Sequence, residues 1–157
     1  MRFARLHPNL YTYLSLRTMS NSTADPRPDL LPPSPDPQVN AGVAMRRQVM
    51  GEAFVARAFA GQTPFTAPIQ HHINRNAWGD VWQRPGLDLK TRSLITVAML
   101  TALGKQNELK GHVRGALNNG ATPEEIQEVL LQAAVYCGVP TAVEAFRSAA
   151  EVVEDPR

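Results

Sequence analysis

At 157 residues the chain is about the size of one domain, and its 16 Lys plus Arg against 14 Asp plus Glu leave a formal net charge of only +2. From Val39 onward 12 basic residues stand against 11 acidic ones, scattered rather than massed, which argues against a nucleic-acid surface, since that requires a basic stripe. Cys137 is the only cysteine; intrachain disulfides and cysteine-based zinc sites are excluded, and a reducing cytoplasm is the expected compartment.

Residues 1–38 hold seven of the 13 prolines, and Pro26 to Pro37 shows no periodic apolar face. Such a segment cannot recover the entropy of ordering its backbone, so a flexible, proline-rich extension is expected there. Ahead of it, Met1 to Thr18 is basic, free of Asp and Glu, and dotted with Leu, Tyr and Phe. It reads as a marginal helix or a targeting-like leader, without the continuous apolar run of a signal peptide or membrane span. Met19 is an alternative start. The folded domain is expected over 39–153, with 154–157 as a tail.

Within the domain, Asn40 can cap a helix through Val43, Met45, Arg46, Val49, Met50, Phe54 and Ala58, ending near Gly61. Thr63-Pro64 fits a cap and first helical position for a second helix through Phe65 and Ile69 toward Ile73. The short aromatic stretch Trp78 to Trp82, followed by Arg84-Pro85-Gly86, predicts a brief helical turn and a fixed loop. Asp88 can cap a third long helix whose body, Leu94 to Leu100, is apolar on nearly all sides and is expected to be the central buried helix.

A further helix is expected from Asn107 to Asn118-Asn119-Gly120, with Gly120 as a left-handed terminator. Thr122-Pro123-Glu124-Glu125 carries a capping box ahead of Ile126, Val129, Leu130, Ala133 and Ala134. Gly138 then breaks the chain, and Pro140 can open a last helix through Val143, Phe146 and Ala150. The fold class is all-α: a compact orthogonal domain of about six helices.

Few side chains can carry chemistry. Glu108 and His112 lie four apart on one helix face, so the carboxylate can orient the imidazole or raise its pKa; structural pairing is an equally common use of that spacing. His71 and His72 are adjacent and diverge on a helix, so they cannot jointly bind one metal, and no metal site is expected. Arg92 falls in the first turn of a helix, where a cation needs an anionic partner; Asp80, Asp88 or a neighbouring subunit can supply one, and so can a substrate carboxylate held together with Arg84. Trp78 and Trp82, also four apart, suit core packing or the wall of a dry site. Cys137 reads as a buried structural thiol, and there is no glycine-rich phosphate loop.

The run Ala77-Trp78-Gly79-Asp80-Val81-Trp82-Gln83-Arg84-Pro85-Gly86-Leu87-Asp88, continued by Thr91 to Leu100, resembles the 4-carboxymuconolactone decarboxylase family. The resemblance extends through Glu108-Leu109-Lys110, His112-Val113-Arg114, Asn118-Asn119-Gly120 and Ala134 to Pro140, and back to Gly42, Arg46-Arg47 and Gly51. Peroxidase-like members of the wider family place a Cys-x-x-Cys ahead of a His; here those positions are Lys105 and Glu108, and the upstream Glu falls at about Ser93, so the dithiol is absent. Asn76 also departs from the family pattern ahead of Ala-Trp-Gly.

The resemblance implies a cofactor-independent carboxy-lyase that converts 4-carboxymuconolactone, a dicarboxylate lactone, to 3-oxoadipate enol-lactone and CO2 in protocatechuate degradation. It implies self-association to a trimer or hexamer; the scattered charge and the lack of a membrane-length apolar run leave no nucleic-acid or membrane partner expected. In that reading His112 is the proton donor, Glu108 orients it, Arg92 and Arg84 hold carboxylates, and Trp78 and Trp82 exclude water. A relative acting on another lactone, a peroxide-linked oxidoreductase and a noncatalytic oligomeric binding protein are the alternatives.

Overall fold

The computed structural model describes residues 34–155. Most of the proline-rich extension and the last two residues therefore lie outside the described residues. Seven α-helices and no strand occur among the residues described. They are α1 (Pro37–Met50), α2 (Glu52–Ala60), α3 (Ala67–His72), α4 (Leu89–Ala102), α5 (Gln106–Asn118), α6 (Pro123–Cys137) and α7 (Val139–Val153). A π-helical turn, Ile73–Trp78, continues α3, and a 3₁₀ turn, Val81–Gln83, follows it. No helix among the described residues is long and apolar enough to cross a membrane.

The first helix differs from its sequence reading at both ends. It starts at Pro37, because Asp36 is the stronger cap: its Oδ1 accepts the Gln38 N–H at 2.9 Å, and Pro37 suits the first helical position. Asn40 instead braces the entry, accepting from the Ser34 N–H and donating to the Ser34 carbonyl, each at 2.8 Å. The expected single helix to Ala58 is two, since Gly51 takes φ 86°, a conformation that ends α1 before α2 begins. Likewise, Thr63-Pro64 opens a turn rather than a helix. There the Thr63 N–H donates to the Thr66 hydroxyl at 2.9 Å, and α3 starts only at Ala67.

The later elements follow their local signals. Asp88 caps α4, accepting the Thr91 N–H at 2.9 Å, and Thr122 with Glu125 forms a complete capping box on α6. Gly120 and Gly138 end α5 and α6 with φ of 85° and 102°. However, α4 is not buried all round within this chain. Ser93, Val97 and Thr101, four apart, are its buried positions, while Ile95, Met99 and Leu103 are exposed on another face, Met99 by 59%. Cys137 is exposed too, against the expectation of a buried thiol.

Two apolar clusters organise the chain. Val97, Leu109, Val113, Ala116, Ala121, Ile126, Leu130, Ala145 and Ala149 join α4 through α7. Val49, Met50, Val55, Trp78 and Trp82 join α1, α2 and the two aromatic turns. Helix α1 lies backbone to backbone on the π-helical turn: a Cβ on Gly42 would sit 1.8 Å from the Asn74 carbonyl oxygen. Only glycine permits that approach.

Candidate active site

Helix α5 stands between the clusters and serves both. Leu109, Val113 and Ala116 enter the aliphatic core. Gly111 and Gly115, four apart, meet α1 and α2 instead: a Cβ at Gly111 would lie 3.1 Å from Met50 Cε and Phe54 Cε2, and one at Gly115 3.2 Å from Val49 Cγ1. With no side chains between them, the helices approach closely, and Asn118 Nδ2 locks the contact by donating to the Val49 carbonyl at 2.9 Å. His112 follows Gly111 directly and is carried to the aromatic cluster.

There it meets both tryptophans. The rings of Trp78 and Trp82 stack with centroids 4.6 Å apart. The imidazole lies parallel to Trp78 within 1°, centroids 6.1 Å apart, and 6.2 Å from the Trp82 ring. His112 Nδ1 is buried without a hydrogen-bond partner. Burial, reinforced by the positive charge of Arg46 and only partly opposed by Glu108, lowers the His112 pKa from 6.5 to about 4. At neutral pH the free protein therefore carries a neutral imidazole in an apolar aromatic setting.

Glu108 reaches His112 through space only. Its side chain is exposed and makes no hydrogen bond to the ring, so in the free chain it does not set the tautomer. Arg92 turns toward the loop that follows Trp82, where its Nη2 donates to the Arg84 carbonyl at 3.1 Å and its Nε is buried without a partner. The Arg84 side chain is exposed. Thus Trp78, Trp82 and His112 come together, whereas the described contacts join Arg92 and Arg84 to each other rather than to the imidazole. His71 and His72 are exposed, and His72 Nδ1 pairs with Asn76 Nδ2 at 3.1 Å. Among the described residues no three His, Cys, Asp or Glu converge as a metal site would require.

The residue that sequence reasoning assigned no role is Arg46. It is only 6% exposed, its Nη1 donates to Gln70 Oε1 at 3.0 Å and to Asn74 Oδ1 at 3.1 Å, and its Nε has no partner. The guanidinium carbon lies 5.9 Å from the Phe54 ring centroid. No carboxylate pairs with it among the described residues. A signal was present: Val39, Gly42, Arg46 and Val49 fall at helical spacing, which puts an arginine in the buried stripe of α1. Buried cations are costly unless paired, so an arginine in such a stripe marks an electrostatic task.

The chain is similar to known proteins over most of its length. The family described as "Carboxymuconolactone decarboxylase family" matches residues 67–151, a span that holds both tryptophans, Glu108 and His112 but begins after Arg46. The chain is 46% identical over 114 residues to a nitrosuccinic acid decarboxylase of Metarhizium robertsii, covering 73% of this chain and 80% of that protein. It is 43% identical, also over 114 residues, to a 4-carboxymuconolactone decarboxylase of Acinetobacter baylyi, covering 73% of this chain and 85% of that one. The helical fold, the aromatic motif and the extent of these matches lead to one conclusion: the chain belongs to the carboxymuconolactone decarboxylase family.

Proposed function

We propose that the chain is a cofactor-independent decarboxylase that converts 4-carboxymuconolactone to 3-oxoadipate enol-lactone and CO2, with His112 handling the proton. The stacking of His112 against Trp78 and Trp82 carries this reading: a titratable group in an apolar aromatic setting, inside the stretch matched by the family. Family membership supports a catalytic role, and the 43% relative supports this substrate.

The substrate's leaving carboxylate sits on a carbon conjugated through the ring alkene with the lactone carbonyl. As the C–C bond breaks, its electron pair enters that system as a dienolate, CO2 departs, and a proton must be delivered to carbon. Neither pyridoxal phosphate nor thiamine is chemically required. An apolar wall favours neutral CO2 over the carboxylate it came from, and the two indoles supply such a wall. The imidazole delivers the proton and regains it from solvent.

A neutral His112 in the free protein bears on the timing of that proton. The first causes of its low pKa are burial and Arg46, so a bound anion beside the ring raises the pKa and recruits the proton with the substrate. Glu108 then orients the ring, and Arg92 with Arg84 attracts the dianionic substrate at longer range without holding the group that leaves. Self-association to a trimer or hexamer belongs to the same reading: Ile95 and Met99 on α4 with Leu103 just after it, and Leu131, Val135 and Val139 around the end of α6, are exposed apolar side chains of the kind that subunit contact covers.

A second reading is favoured by the 46% relative, which acts on nitrosuccinic acid. That substrate is also a dicarboxylate whose leaving group sits beside an electron sink, there a nitro group. Supplying each compound separately, without added metal or cofactor, and following CO2 release decides between them. Turnover of neither by folded protein would defeat both.

A further inference from the structure

We propose that the Arg46 guanidinium, buried near Phe54 in the aromatic half of the chain, binds a substrate carboxylate, the one that stays on the molecule. The inference rests on the decarboxylase reading for the identity of the ligand but on geometry for the place. A cation that is nine-tenths buried ordinarily needs a carboxylate. Arg46 has two neutral amide oxygens on Nη1, a phenyl ring beside its guanidinium carbon and nothing on Nε. Amide acceptors fix its direction without cancelling its charge. Gln70 and Asn74 come from α3 and the π-helical turn, and the close approach at Gly42 presses that turn onto α1. The guanidinium is therefore preorganised with its charge unspent.

Which carboxylate it holds follows from the energetics of CO2 loss. A guanidinium on the departing carboxylate stabilises the ground state and loses that contact as neutral CO2 forms, which slows the step. On the retained carboxylate the contact is equal in ground and transition states and serves binding. The leaving group is then directed to the apolar side of the site. Arg46 thereby selects for dicarboxylates, a property shared by both candidate substrates, and its buried charge gains the partner it lacks within the chain.

The test uses the full chain and its two tryptophans, both of which lie in the site and so report on it by fluorescence. Succinate, a non-reacting dicarboxylate, is titrated into wild type, Arg46→Met and Arg46→Lys, with far-UV circular dichroism confirming each fold. Wild type is expected to show a saturable change, with affinity at least tenfold weaker in Arg46→Met. In Arg46→Lys, which keeps the charge but not the fork, a loss of at least threefold is expected. With whichever substrate turns over, Arg46→Met is expected to raise KM at least tenfold and alter kcat less. A wild type that gives no saturable succinate response overturns the proposal, as does unchanged succinate affinity and KM in the folded variants. If Arg46→Met fails to fold, unchanged values in Arg46→Lys overturn it equally. Arg46-dependent succinate binding without any decarboxylation sinks the reaction and leaves the anion site standing; normal decarboxylation with unchanged KM does the reverse.

Discussion

The two halves of this molecule solve opposite problems with the same helices. From α4 to α7 the chain closes around Val97, Leu109, Ile126 and Leu130 with small alanines between them, side chains whose burial is favourable in its own right. From α1 to the 3₁₀ turn it closes around two tryptophans and, beside them, a buried arginine, a buried asparagine and an unpartnered imidazole nitrogen. Groups of that kind cost stability where they lack a partner, and they concentrate at functional sites. The aliphatic half is a platform, and the aromatic half is the device mounted on it. Helix α5 joins them, giving Leu109 and Val113 to one and His112 to the other.

Breaking the aromatic half should need only a methyl group. In Gly42→Ala the new Cβ would meet a main-chain oxygen at 1.8 Å, and neither backbone can rotate away as a side chain would. Overpacking against backbone is expected to cost about 3 kcal/mol or more, and to part α1 from the turn that carries Trp78. Thermal unfolding should report the loss, and a red-shifted tryptophan emission should appear even where helix content persists. A variant with wild-type stability and emission would show that the two elements are not locked together. In the aliphatic half, Leu130→Ala is expected to cost about 2–5 kcal/mol by loss of transfer energy and the cavity left behind. Well below its melting temperature it should leave the emission and its pH dependence unchanged. A disturbed tryptophan signal in folded Leu130→Ala would mean that the halves are not separable in this way.

Protonation sharpens the comparison, because His112 titrates inside the aromatic half. Its folded pKa of about 4 lies below the unfolded 6.5, with burial the main cause and Arg46 the next. Between those values the unfolded chain binds the proton and the folded chain does not, so stability rises with pH. The contribution is full above pH 6.5 and lost as pH falls toward 4, on the order of 3 kcal/mol in all. In His112→Gln that part of the pH dependence should vanish. A fluorescence titration of wild type should show an acid transition near pH 4, since imidazolium quenches indole more than neutral imidazole does. In Arg46→Met the midpoint should move upward. A midpoint that stays near 6.5 in wild type, or fails to rise on removal of Arg46, would contradict the electrostatics of the site.

Legibility in the sequence followed the same division. Capping signals at Asp88 and Thr122 and apolar spacing along α5 and α6 are local, so they marked those helices correctly. Trp78, Trp82 and His112 were readable as candidates because their residue types are costly to spend on packing alone. The break at Gly51, the turn at Thr63 and the π-helical turn after His72 were not, since each depends on what α1 and α3 touch after folding. Arg46 was legible by position in a buried stripe, yet its meaning needed the third dimension: α5 brings His112 beside it from 66 residues away in sequence. The exposed face of α4 misled for a related reason, since an apolar run does not say which of its faces the rest of the chain covers.

The smallest effect makes the cleanest control. Thr122 Oγ1 accepts the Glu125 N–H at 3.2 Å, and Glu125 Oε2 accepts the Thr122 N–H at 2.9 Å, satisfying two donors that the start of α6 would otherwise leave open. Glu125 also pairs with Lys90 on α4, and that pair together with the Thr122 N–H holds its carboxyl below the usual range. Thr122→Ala removes one side of the box and is expected to cost about 1 kcal/mol, read as a small fall in melting temperature. The box lies in the platform, so tryptophan emission, the acid transition of His112 and KM should all stay at wild-type values. A shift in any of them would show that damage to α6 travels through α5 into the site. The stability lost in Gly42→Ala would then have to be separated from a general loosening before its effect on the aromatic half could be assigned.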